Sequence, residues 1–531
     1  MDDTIDRFES RRSTVYGDGG MVATSQPLAS QAGLEILRSG GNAFDAAVAT
    51  AAVLNVVEPT STGIGGDVFA CFRTADGHLG GLNSSGHAPA AATVERVGEI
   101  VGGDDPSMPT HGPLTVTVPG AARGWEWTVE QHGRLTLGEV LQPAIRYAKE
   151  GFPVSEVIAT YWRGAERLFE TPHAREAYLL EDRAPRTGEM MRLPRLGETF
   201  ETVAAEGADA VYEGTIAEAI ASEVQEAGGL LSVDDLALFE PAPVEPESVD
   251  YHGVELFELP PNTQGRIALE TLAIAEAAGI DQTSFGSVSY THTLIEAMKL
   301  AFHDGHYHLT DPDHVEVTDL LDGDHVGDRA SRIEDDSSLE ANVLDSLAAD
   351  ADTVLLCVGD DEGNLVTYIN SRFMGFGSGL VADDTGIALQ NRGASFSLDP
   401  SHPNCIAPEK RPFHTLIPAM ARFDEDDWMA FGVMGGYMQP QGHVQVLTNI
   451  VDGEMPLQRA LDRPRWRHQA DGTLAVEARY DDAMMSKLLR SGHDLRVRSP
   501  VGFGGAQAVR RTDGVLSGAT EPRKDGTVAV Y

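Results

Sequence analysis

An acidic tract ends at Asp352, and a run rich in apolar residues begins directly after it, in the stretch "DTVLLCVGDDEGNLVTYIN" at 352–370. Valine, leucine and isoleucine favour strands, and the turn residues of "DEGN" divide the run, which predicts strands at 353–359 and 365–371. The first strand would hold the polar Thr353 rigidly at the edge of a sheet. Any fold of this chain must therefore place Thr353 at the junction between a connector and a sheet.

The segment before this junction has a different character from the rest of the chain. Between about 311 and 352 the sequence is strongly acidic and is interrupted by Gly and Ser, which predicts a mobile connector. After the junction, hydrophobic patterning predicts further strands at 386–390, 417–423 and 428–434 and helices at 439–451, 456–462 and 480–492. Strands in a row with helices packed behind them predict a layered α/β sandwich.

The first half of the chain predicts a helical layer against a sheet. Residues 26–57 contain two helical patches separated by "GGN" at 40–42, and the second patch is apolar nearly all round, which predicts a buried helix. Glycine turns then lead into strands within "STGIGGDVFACFRT" and "GHLGGLN". Amphipathic patterns predict helices at 136–150, 199–227 and 290–309.

The strongly negative net charge of the chain argues against nucleic acids as binding partners. The chain has 39 Lys and Arg against 82 Asp and Glu, a net charge of -43, which would repel the phosphates of a nucleic acid. The acidic residues are spread along the chain, as expected of a surface suited to high salt, so we expect a halophilic protein. No apolar run is long enough to span a membrane, and the N-terminus lacks the apolar core of a secretory signal. We expect a cytoplasmic protein that binds neither nucleic acid nor membrane.

Several common chemistries lack their sequence signatures. The chain contains no GxSxG, GxxxxGK[ST] or HExxH motif. Its three cysteines are far apart and predict buried free thiols: Cys71, Cys357 and Cys405. "HDGHYH" at 303–308 brings potential metal ligands together, but the apolar spacing before it is explained by a packed helix end. We therefore predict no metal and no cofactor.

Thr353 has two interpretations. A threonine hydroxyl is a poor nucleophile unless a base removes its proton, and one known solution uses the residue's own α-amine after it has become a chain terminus. That chemistry requires cleavage of the bond between Asp352 and Thr353. The alternative is a β-branched residue that simply begins a strand. The local sequence is compatible with both.

A series of motifs along nearly the whole chain resembles the γ-glutamyltransferase family, whose members are N-terminal-nucleophile hydrolases. The motifs occur in the family's order. They include "LRSGGNAFDAAVA" (37–49), "GIGGD" (63–67), "VPGAARGW" (118–125), "DTVLLCVGDDEGN" (352–364), "NCIAPEKRPFHTLIPA" (404–419), "GVMGGYMQPQGHVQVLTNIVD" (432–452) and "EPRKDG" (521–526). Taken together and in order, these motifs are highly specific.

The resemblance implies a four-layer αββα fold that is made as one precursor. Self-cleavage between Asp352 and Thr353 would produce a large chain, residues 1–352, and a small chain, residues 353–531, which remain associated as one composite catalytic domain. The Thr353 hydroxyl would then attack a small-molecule amide, and water or an amine would resolve the acyl-enzyme. By resemblance, Gly435 and Gly436 supply oxyanion donors, and the Ser371 hydroxyl orients the nucleophile.

The positions that correspond to the family's acyl-binding residues depart from its pattern. Ser85 stands where typical members carry an arginine, Arg392 and Ser395 stand where a Gln and an Asp follow an Asn, here Asn391, and His414-Thr415 replace a serine pair. A γ-glutamyl head carries a carboxylate and an ammonium, and both need partners of opposite charge when they are buried. A pocket that keeps a cation and loses its anion favours a glutaryl-like acyl group.

Three functions follow from these observations. The first is an autoprocessing γ-glutamyltransferase or glutathione hydrolase, and the second is an amide acylase of the glutaryl or cephalosporin-acylase type on the same scaffold. The third is a non-catalytic binding protein that has kept the fold. The presence of Thr353 and of the Gly435-Gly436 pair argues against the third.

Overall fold

The computed structural model describes residues 12–335, 337–339 and 353–531. Asp352, the predicted residue before the cleavage point, lies outside the described residues, as does most of the segment that precedes it. The centre of the molecule consists of two seven-stranded sheets, and all neighbouring strands within each of them pair antiparallel.

Sheet 1 contains the strand that follows Thr353. In spatial order its strands are Thr527–Val530, Gly20–Thr24, Val354–Asp360, Leu365–Ser371, Asp67–Arg73, Leu79–Ser84 and Ala242–Val244. Sheet 2 consists, in spatial order, of Val15–Gly17, Val515–Thr520, Gly505–Thr512, Asp427–Met434, Ala419–Asp424, Val254–Glu258 and Glu247–Tyr251. Both sheets therefore combine strands from before and after residue 353.

The two sheets face each other across an apolar interface. Along the strand Val354–Asp360, Leu355 and Cys357 point into this interface, whereas Val354, Leu356 and Val358 point to the opposite face and join the cluster under the helices. This alternation follows from the two-residue period of a strand. Because both faces are covered, every residue of this strand is buried.

Helices cover the outer face of sheet 1. They are Pro27–Arg38, Ala43–Val57, Ala121–His132, Leu137–Val140, Gln142–Glu150, Glu156–Trp162, Ala165–Leu168, Pro172–Tyr178, Pro194–Glu206, Asp209–Tyr212, Gly214–Glu226 and Val233–Ala237, and Val94–Val101 lies in a smaller adjoining cluster. Every residue of Ala43–Val57 is buried, which confirms the predicted buried helix. The helix predicted at 199–227 is divided into three, because glycines at 207 and 214 with positive φ interrupt it.

A second helical layer covers the outer face of sheet 2. It consists of Gly265–Ala277, Val288–His308, Gly323–Ala330, Met438–Val451, Leu457–Asp462 and Asp482–Arg490. The order of layers is therefore helix, sheet, sheet, helix, which confirms the predicted αββα sandwich. No helix in the described part of the chain is long and apolar enough to span a membrane.

Shorter elements connect these layers. Three small sheets pair Val381–Ala382 with Ile387–Ala388, Phe152–Pro153 with Met190–Met191, and Trp466–His468 with Leu474–Glu477 and Leu495–Arg498. Short 3-10 helices occur at Pro113–Thr115, Ile280–Gln282, Arg392–Ser395 and Pro500–Phe503. The three strands at the C-terminal end of the chain were not predicted from the sequence: Gly505–Thr512, Val515–Thr520 and Thr527–Val530.

The prediction of a mobile connector over 311–352 is wrong for its first part. Gly323–Ala330 forms a helix, and Val326 and Ala330 are buried against the second helical layer. Arg329 Nη2 donates to Asp304 Oδ1 at 2.7 Å, so an ion pair fixes this helix to its neighbour. The prediction relied on acidic composition and missed that most of this segment's few apolar side chains pack against the second helical layer. Residues 336 and 340–352 lie outside the described part.

Candidate active site

Thr353 lies immediately before the strand Val354–Asp360 and is 2% exposed. Its Oγ1 donates a hydrogen bond to Ser371 Oγ at 3.2 Å. The Ser371 hydroxyl in turn accepts a hydrogen bond from the backbone N–H of Phe373 at 2.9 Å. The contact brings together the two residues that the sequence predicted as nucleophile and orienting hydroxyl.

Strand register places further polar residues at the same end of the strands of sheet 1. Val354 is paired with Asn370, and Ser371 is paired with Asp67 on the next strand. Ser85 directly follows the strand Leu79–Ser84, whose last residue Ser84 is paired with Val68, the neighbour of Asp67. Neighbouring antiparallel strands thus begin or end at the same side of sheet 1, and their hydroxyl and carboxyl groups lie close together there.

The Gly435-Gly436 turn joins the strand Asp427–Met434 to the helix Met438–Val451. Gly435 and Gly436 have φ values of 120° and 55°, and a Cβ at Gly435 would lie 3.1 Å from the Gly504 Cα, so the turn requires glycine. Leu355 packs against Gly432 of the same strand, which brings this turn to the Thr353 end of the molecule. Within the described residues, the N–H groups of Gly435 and Gly436 have no acceptor.

Asp67 is a fully buried carboxyl beside these groups. Its oxygens accept four hydrogen bonds, from the N–H groups of Gly86 and Gly120, from Gln390 Nε2 and from His414 Nε2, at 3.0–3.2 Å. Burial raises the pKa of Asp67 to about 7, although Arg392 and these hydrogen bonds act in the opposite direction. Because both oxygens are engaged, Asp67 is an internal anchor for this end of the strands of sheet 1.

His414 is also fully buried, and its tautomer follows from its partners. Its Nδ1 accepts from the backbone N–H of Leu416 at 3.2 Å, so the proton lies on Nε2, which donates to Asp67 Oδ2 at 3.0 Å. Burial and the nearby Arg392 hold the pKa of His414 well below its usual value. The predicted substrate-binding His414 is thus neutral and directed at a carboxyl of the protein.

Arg392 is a buried cation with an unused hydrogen-bonding edge. Its Nη1 donates to Thr415 Oγ1 at 2.9 Å, and its Cζ lies 4.1 Å from the centre of the Phe373 ring. Among the described residues, its Nε and Nη2 have no partner. Burial lowers the pKa of Arg392 to about 10, which leaves it charged at neutral pH. The Nε–Nη2 edge is the part of a guanidinium that can bind a carboxylate through two parallel hydrogen bonds.

A cavity of about 680 Å³ adjoins these residues. Its wall contains Ala394 and Ser395 from the 3-10 turn of Arg392, Phe413 next to His414, and Tyr437 next to Gly436. The hydroxyl of Ser395 is buried, and no hydrogen-bond partner for it exists among the residues with described positions. The cavity therefore borders the predicted acyl-binding residues.

Two predicted site residues already have protein partners for their polar groups. Asn391 Oδ1 accepts from the Met374 N–H at 3.0 Å, and its Nδ2 donates to the Thr110 carbonyl at 2.6 Å. Ser85 Oγ accepts from Asn262 Nδ2 at 3.4 Å. Their substrate-binding roles remain predictions, and in this arrangement both side chains hold neighbouring loops in place.

The "HDGHYH" stretch contributes only Asp304 to a cluster of potential metal ligands. The two such clusters found among the described residues are Glu270 with Asp304 and His325, and His292 with Glu296 and His493. A basic side chain already binds an acidic member of each cluster: Arg329 binds Asp304, and Lys299 Nζ binds Glu296 Oε1 at 2.7 Å. These ion pairs account for both clusters as internal contacts of the helical layer.

Cys71 and Cys357 are buried free thiols, as predicted, and Cys405 is partly buried. Burial raises the pKa of all three thiols, which disfavours the reactive thiolate. None of them competes with Thr353 as a candidate nucleophile.

Comparisons with known proteins connect this geometry with one family. The family model described as Gamma-glutamyltranspeptidase matches residues 29–531. A glutathione hydrolase-like YwrD proenzyme of Bacillus subtilis is 37% identical over 97% of this chain and 98% of its own length. An oxamate amidohydrolase proenzyme of Klebsiella pneumoniae is 36% identical, with 96% of this chain and 98% of the relative covered.

A solved structure is similar over the whole fold. The crystal structure of a cephalosporin acylase from Bacillus halodurans matches with a TM-score of 0.91 and 42% identity, and the match covers 100% of this chain and 99% of that one. The relatives thus include proteins named for hydrolysis of different amides on a shared scaffold.

Proposed function

The chain belongs to the gamma-glutamyltranspeptidase family and is an enzyme of that family, and from this premise we propose that it cleaves itself before Thr353 and then uses the Thr353 hydroxyl to open amide bonds. The observation that carries the proposal is the 3.2 Å hydrogen bond from Thr353 to Ser371. The neighbouring Leu355 packs against Gly432, in the strand that leads to the glycine turn. Water or an amine receives the acyl group.

Self-cleavage would proceed by an N-to-O acyl shift. The Thr353 hydroxyl attacks the carbonyl carbon of Asp352, the Asp352–Thr353 C–N bond breaks, and the threonine nitrogen takes the proton as an ester forms on Oγ1. Water then hydrolyses this ester, which releases the Asp352 carboxylate and restores the hydroxyl. The new α-amine of Thr353 can act as the base in later turnovers.

In the mature enzyme the same hydroxyl attacks the substrate amide. The tetrahedral intermediate carries a negative oxygen, and the N–H groups of Gly435 and Gly436 are candidates to stabilise it because neither donates to a described residue. Collapse expels the amine with a proton and leaves an ester on Thr353. Attack by water gives hydrolysis, and attack by a second amine gives transfer.

The family membership supports γ-glutamyl amides, including glutathione, as the first candidate substrates. In such a substrate the α-carboxylate would be the partner of Arg392 through the unused Nε–Nη2 edge. The α-ammonium would need an anion, and Asp67 is the carboxyl that interacts electrostatically with Arg392. Both Asp67 oxygens are already engaged by the protein, however.

The charges of the pocket favour a second candidate, an acylase for dicarboxylic monoamides such as glutaryl amides. Arg392 provides a cation for the distal carboxylate, and the neutral Ser395 stands where the family pattern has an Asp, so this position supplies no anion. A buried ammonium with no anionic partner costs several kcal/mol even after relaxation. A glutaryl group keeps the carboxylate of a glutamyl group and lacks its ammonium.

Paired anilide substrates distinguish the two candidates. If the pocket binds only a carboxylate, we expect kcat/KM for glutaryl p-nitroanilide to exceed that for γ-glutamyl p-nitroanilide by roughly 10-fold or more, since the ammonium would be buried unpaired. Release of nitroaniline measures both substrates with the same leaving group, which is the internal control. A ratio that favours γ-glutamyl anilide by a similar factor would exclude the acylase candidate and support the first.

We also propose that the two products of cleavage remain associated. This proposal is supported by the two central sheets, each of which contains strands from both 1–352 and 353–531. Separation would expose both the apolar interface between the sheets and unpaired strand edges.

The proposed adaptation to high salt has a measurable consequence. With a net charge of -43, surface carboxylates repel one another, and added salt shortens the Debye length from about 10 Å at 0.1 M to about 3 Å at 1 M. We expect the melting temperature to rise by several degrees between 0.1 and 1 M KCl and then to level off. Sucrose at equal osmolarity is the control without screening. A melting temperature that is insensitive to KCl would contradict the proposal.

A further inference from the structure

Gln264 holds two backbone carbonyls from a fully buried position. Its Nε2 donates to the Thr415 carbonyl at 2.7 Å and to the Gly436 carbonyl at 3.0 Å, which uses both of its hydrogens. Gln264 itself is the residue that precedes the helix Gly265–Ala277, and its backbone N–H donates to the His414 carbonyl at 3.0 Å. One residue thus joins three points of the candidate site, two through its side chain and one through its backbone N–H.

The two carbonyls belong to different parts of the proposed chemistry. Thr415 is the residue whose hydroxyl accepts from Arg392 Nη1, so its position sets that of the carboxylate-binding guanidinium. Gly436 is in the turn whose N–H groups are the proposed oxyanion donors. The amide of Gln264 therefore fixes the spacing between the group that binds the acyl carboxylate and the group that stabilises the transition state.

The other side of the glycine turn has an anchor of its own. Val433, two residues before Gly435, donates its N–H to His443 Nε2 at 2.9 Å, so His443 carries its proton on Nδ1. Nδ1 then donates to Glu258 Oε1 at 2.6 Å. Glu258 and Gln264 both precede residue 353 in the sequence. After cleavage, the large chain would therefore hold the turn of the small chain from both sides.

The acceptor side of Gln264 differs from that of a purely structural glutamine. Gln445 also donates Nε2 to two carbonyls, those of Gln441 and Trp466, both at 2.9 Å, and its Oε1 accepts from the Trp466 N–H. The Oε1 of Gln264 is buried without a partner in the described part of the chain. A buried polar atom without a partner is uncommon in folded proteins, and a catalytic role is one of the explanations for it.

We propose that Gln264 is a positioning residue for catalysis: through the Gly436 and Thr415 carbonyls it aligns the oxyanion donors with the acyl-binding arginine. The inference rests on the proposed function, because it assigns meaning to that same site. It names a residue of the large-chain region on which turnover by the small chain depends.

Gln264→Met tests the proposal, because methionine keeps the length of the side chain and removes both donors. On protein shown by intact mass to be cleaved, we expect kcat to fall roughly 10- to 100-fold, the range for displaced reacting groups. Gln445→Met is the matched control, since it also loses two carbonyl contacts, but away from the turn. Equal kcat values for the two variants would overturn the proposal.

Gln264→Glu provides a second readout that also covers failure of the methionine variant to fold or cleave. A carboxylate cannot donate to the two carbonyls, whereas a protonated carboxyl can donate to one of them, and burial favours protonation. We expect the activity of this variant relative to wild type to rise as the pH is lowered from about 8 to about 6. A ratio that does not depend on pH would count against the positioning role.

The wild-type enzyme separates this inference from the proposed function. Mass analysis of a peptide carrying an acyl group on Thr353 tests the nucleophile without reference to Gln264. Acylated Thr353 together with an undiminished Gln264→Met variant would contradict only the positioning role. Absence of an acyl-enzyme and of turnover in folded wild-type protein would contradict the proposed function itself.

Discussion

Thr353→Ala is expected to yield one uncut chain without measurable amidase activity. The methyl group cannot attack the Asp352 carbonyl, so neither the chain break nor the free α-amine can form. In a hydrolase whose nucleophile and base depend on each other, removal of the nucleophile reduces kcat by roughly 10⁶-fold. Intact-mass analysis and N-terminal sequencing of protein kept in high salt, followed by an anilide assay, measure both effects. Wild-type protein should give a smaller chain that begins Thr-Val-Leu-Leu.

Two variants control for the loss of a buried hydroxyl. Thr353→Ser keeps the nucleophilic oxygen and should cleave and turn over, although more slowly than wild type. Thr367→Ala removes a buried threonine hydroxyl from the adjacent strand, where its Oγ1 donates to the Ala419 carbonyl at 2.7 Å, and should reduce stability while cleavage is retained. Undiminished turnover by Thr353→Ala would refute Thr353 as the nucleophile.

Arg392→Met is expected to produce the second largest effect, and a selective one. The substitution removes the cation and its unused Nε–Nη2 edge while it keeps much of the side-chain volume. Truncating one partner of a buried, hydrogen-bonded charge pair costs about 2–5 kcal/mol, so kcat/KM for glutaryl anilide should fall by roughly 10²- to 10³-fold. Steady-state kinetics with glutaryl and butyryl anilides measure the effect, and the uncharged butyryl group should lose little.

Arg392→Lys separates charge from geometry in the same assay. Lysine is a point charge without the planar pair of donors, so it should fall between wild type and Arg392→Met for the glutaryl substrate. If Arg392→Met loses the same factor with glutaryl and butyryl anilides, then Arg392 supports the fold around Thr415 and Phe373 and does not recognise a carboxylate.

Patterns that depend on near neighbours in the chain were well predicted. The hairpin after residue 353 and the buried helix Ala43–Val57 follow from side-chain periodicity and turn residues, which act over a few positions. The position of Thr353 at the start of a strand follows from the same local pattern, but that strand is the third of seven in sheet 1 and is not an edge strand. The acidic segment was misjudged, because the ion pair of Arg329 with Asp304 joins residues on separate helices.

The residues around Thr353 show where prediction from the sequence ends. Asp67 was visible only as the last letter of a glycine-rich motif, and its pairing with Ser371 depends on strand register. Gln264 carried no signal of its own before its amide was found on the carbonyls of Thr415 and Gly436. Such contacts join positions more than 150 residues apart in the chain.

The sequence by itself determined the layered class of the fold, the family, the candidate nucleophile and the departures at Arg392 and Ser395, because these depend on residue identity and short-range pattern. Only the tertiary structure decided which hydrogen-bonding groups remain available. It engaged both oxygens of Asp67 and left the Nε–Nη2 edge of Arg392 without a partner among the described residues. The physical reason is that a buried polar group is defined by what surrounds it, and those neighbours are brought together by the packing of two sheets.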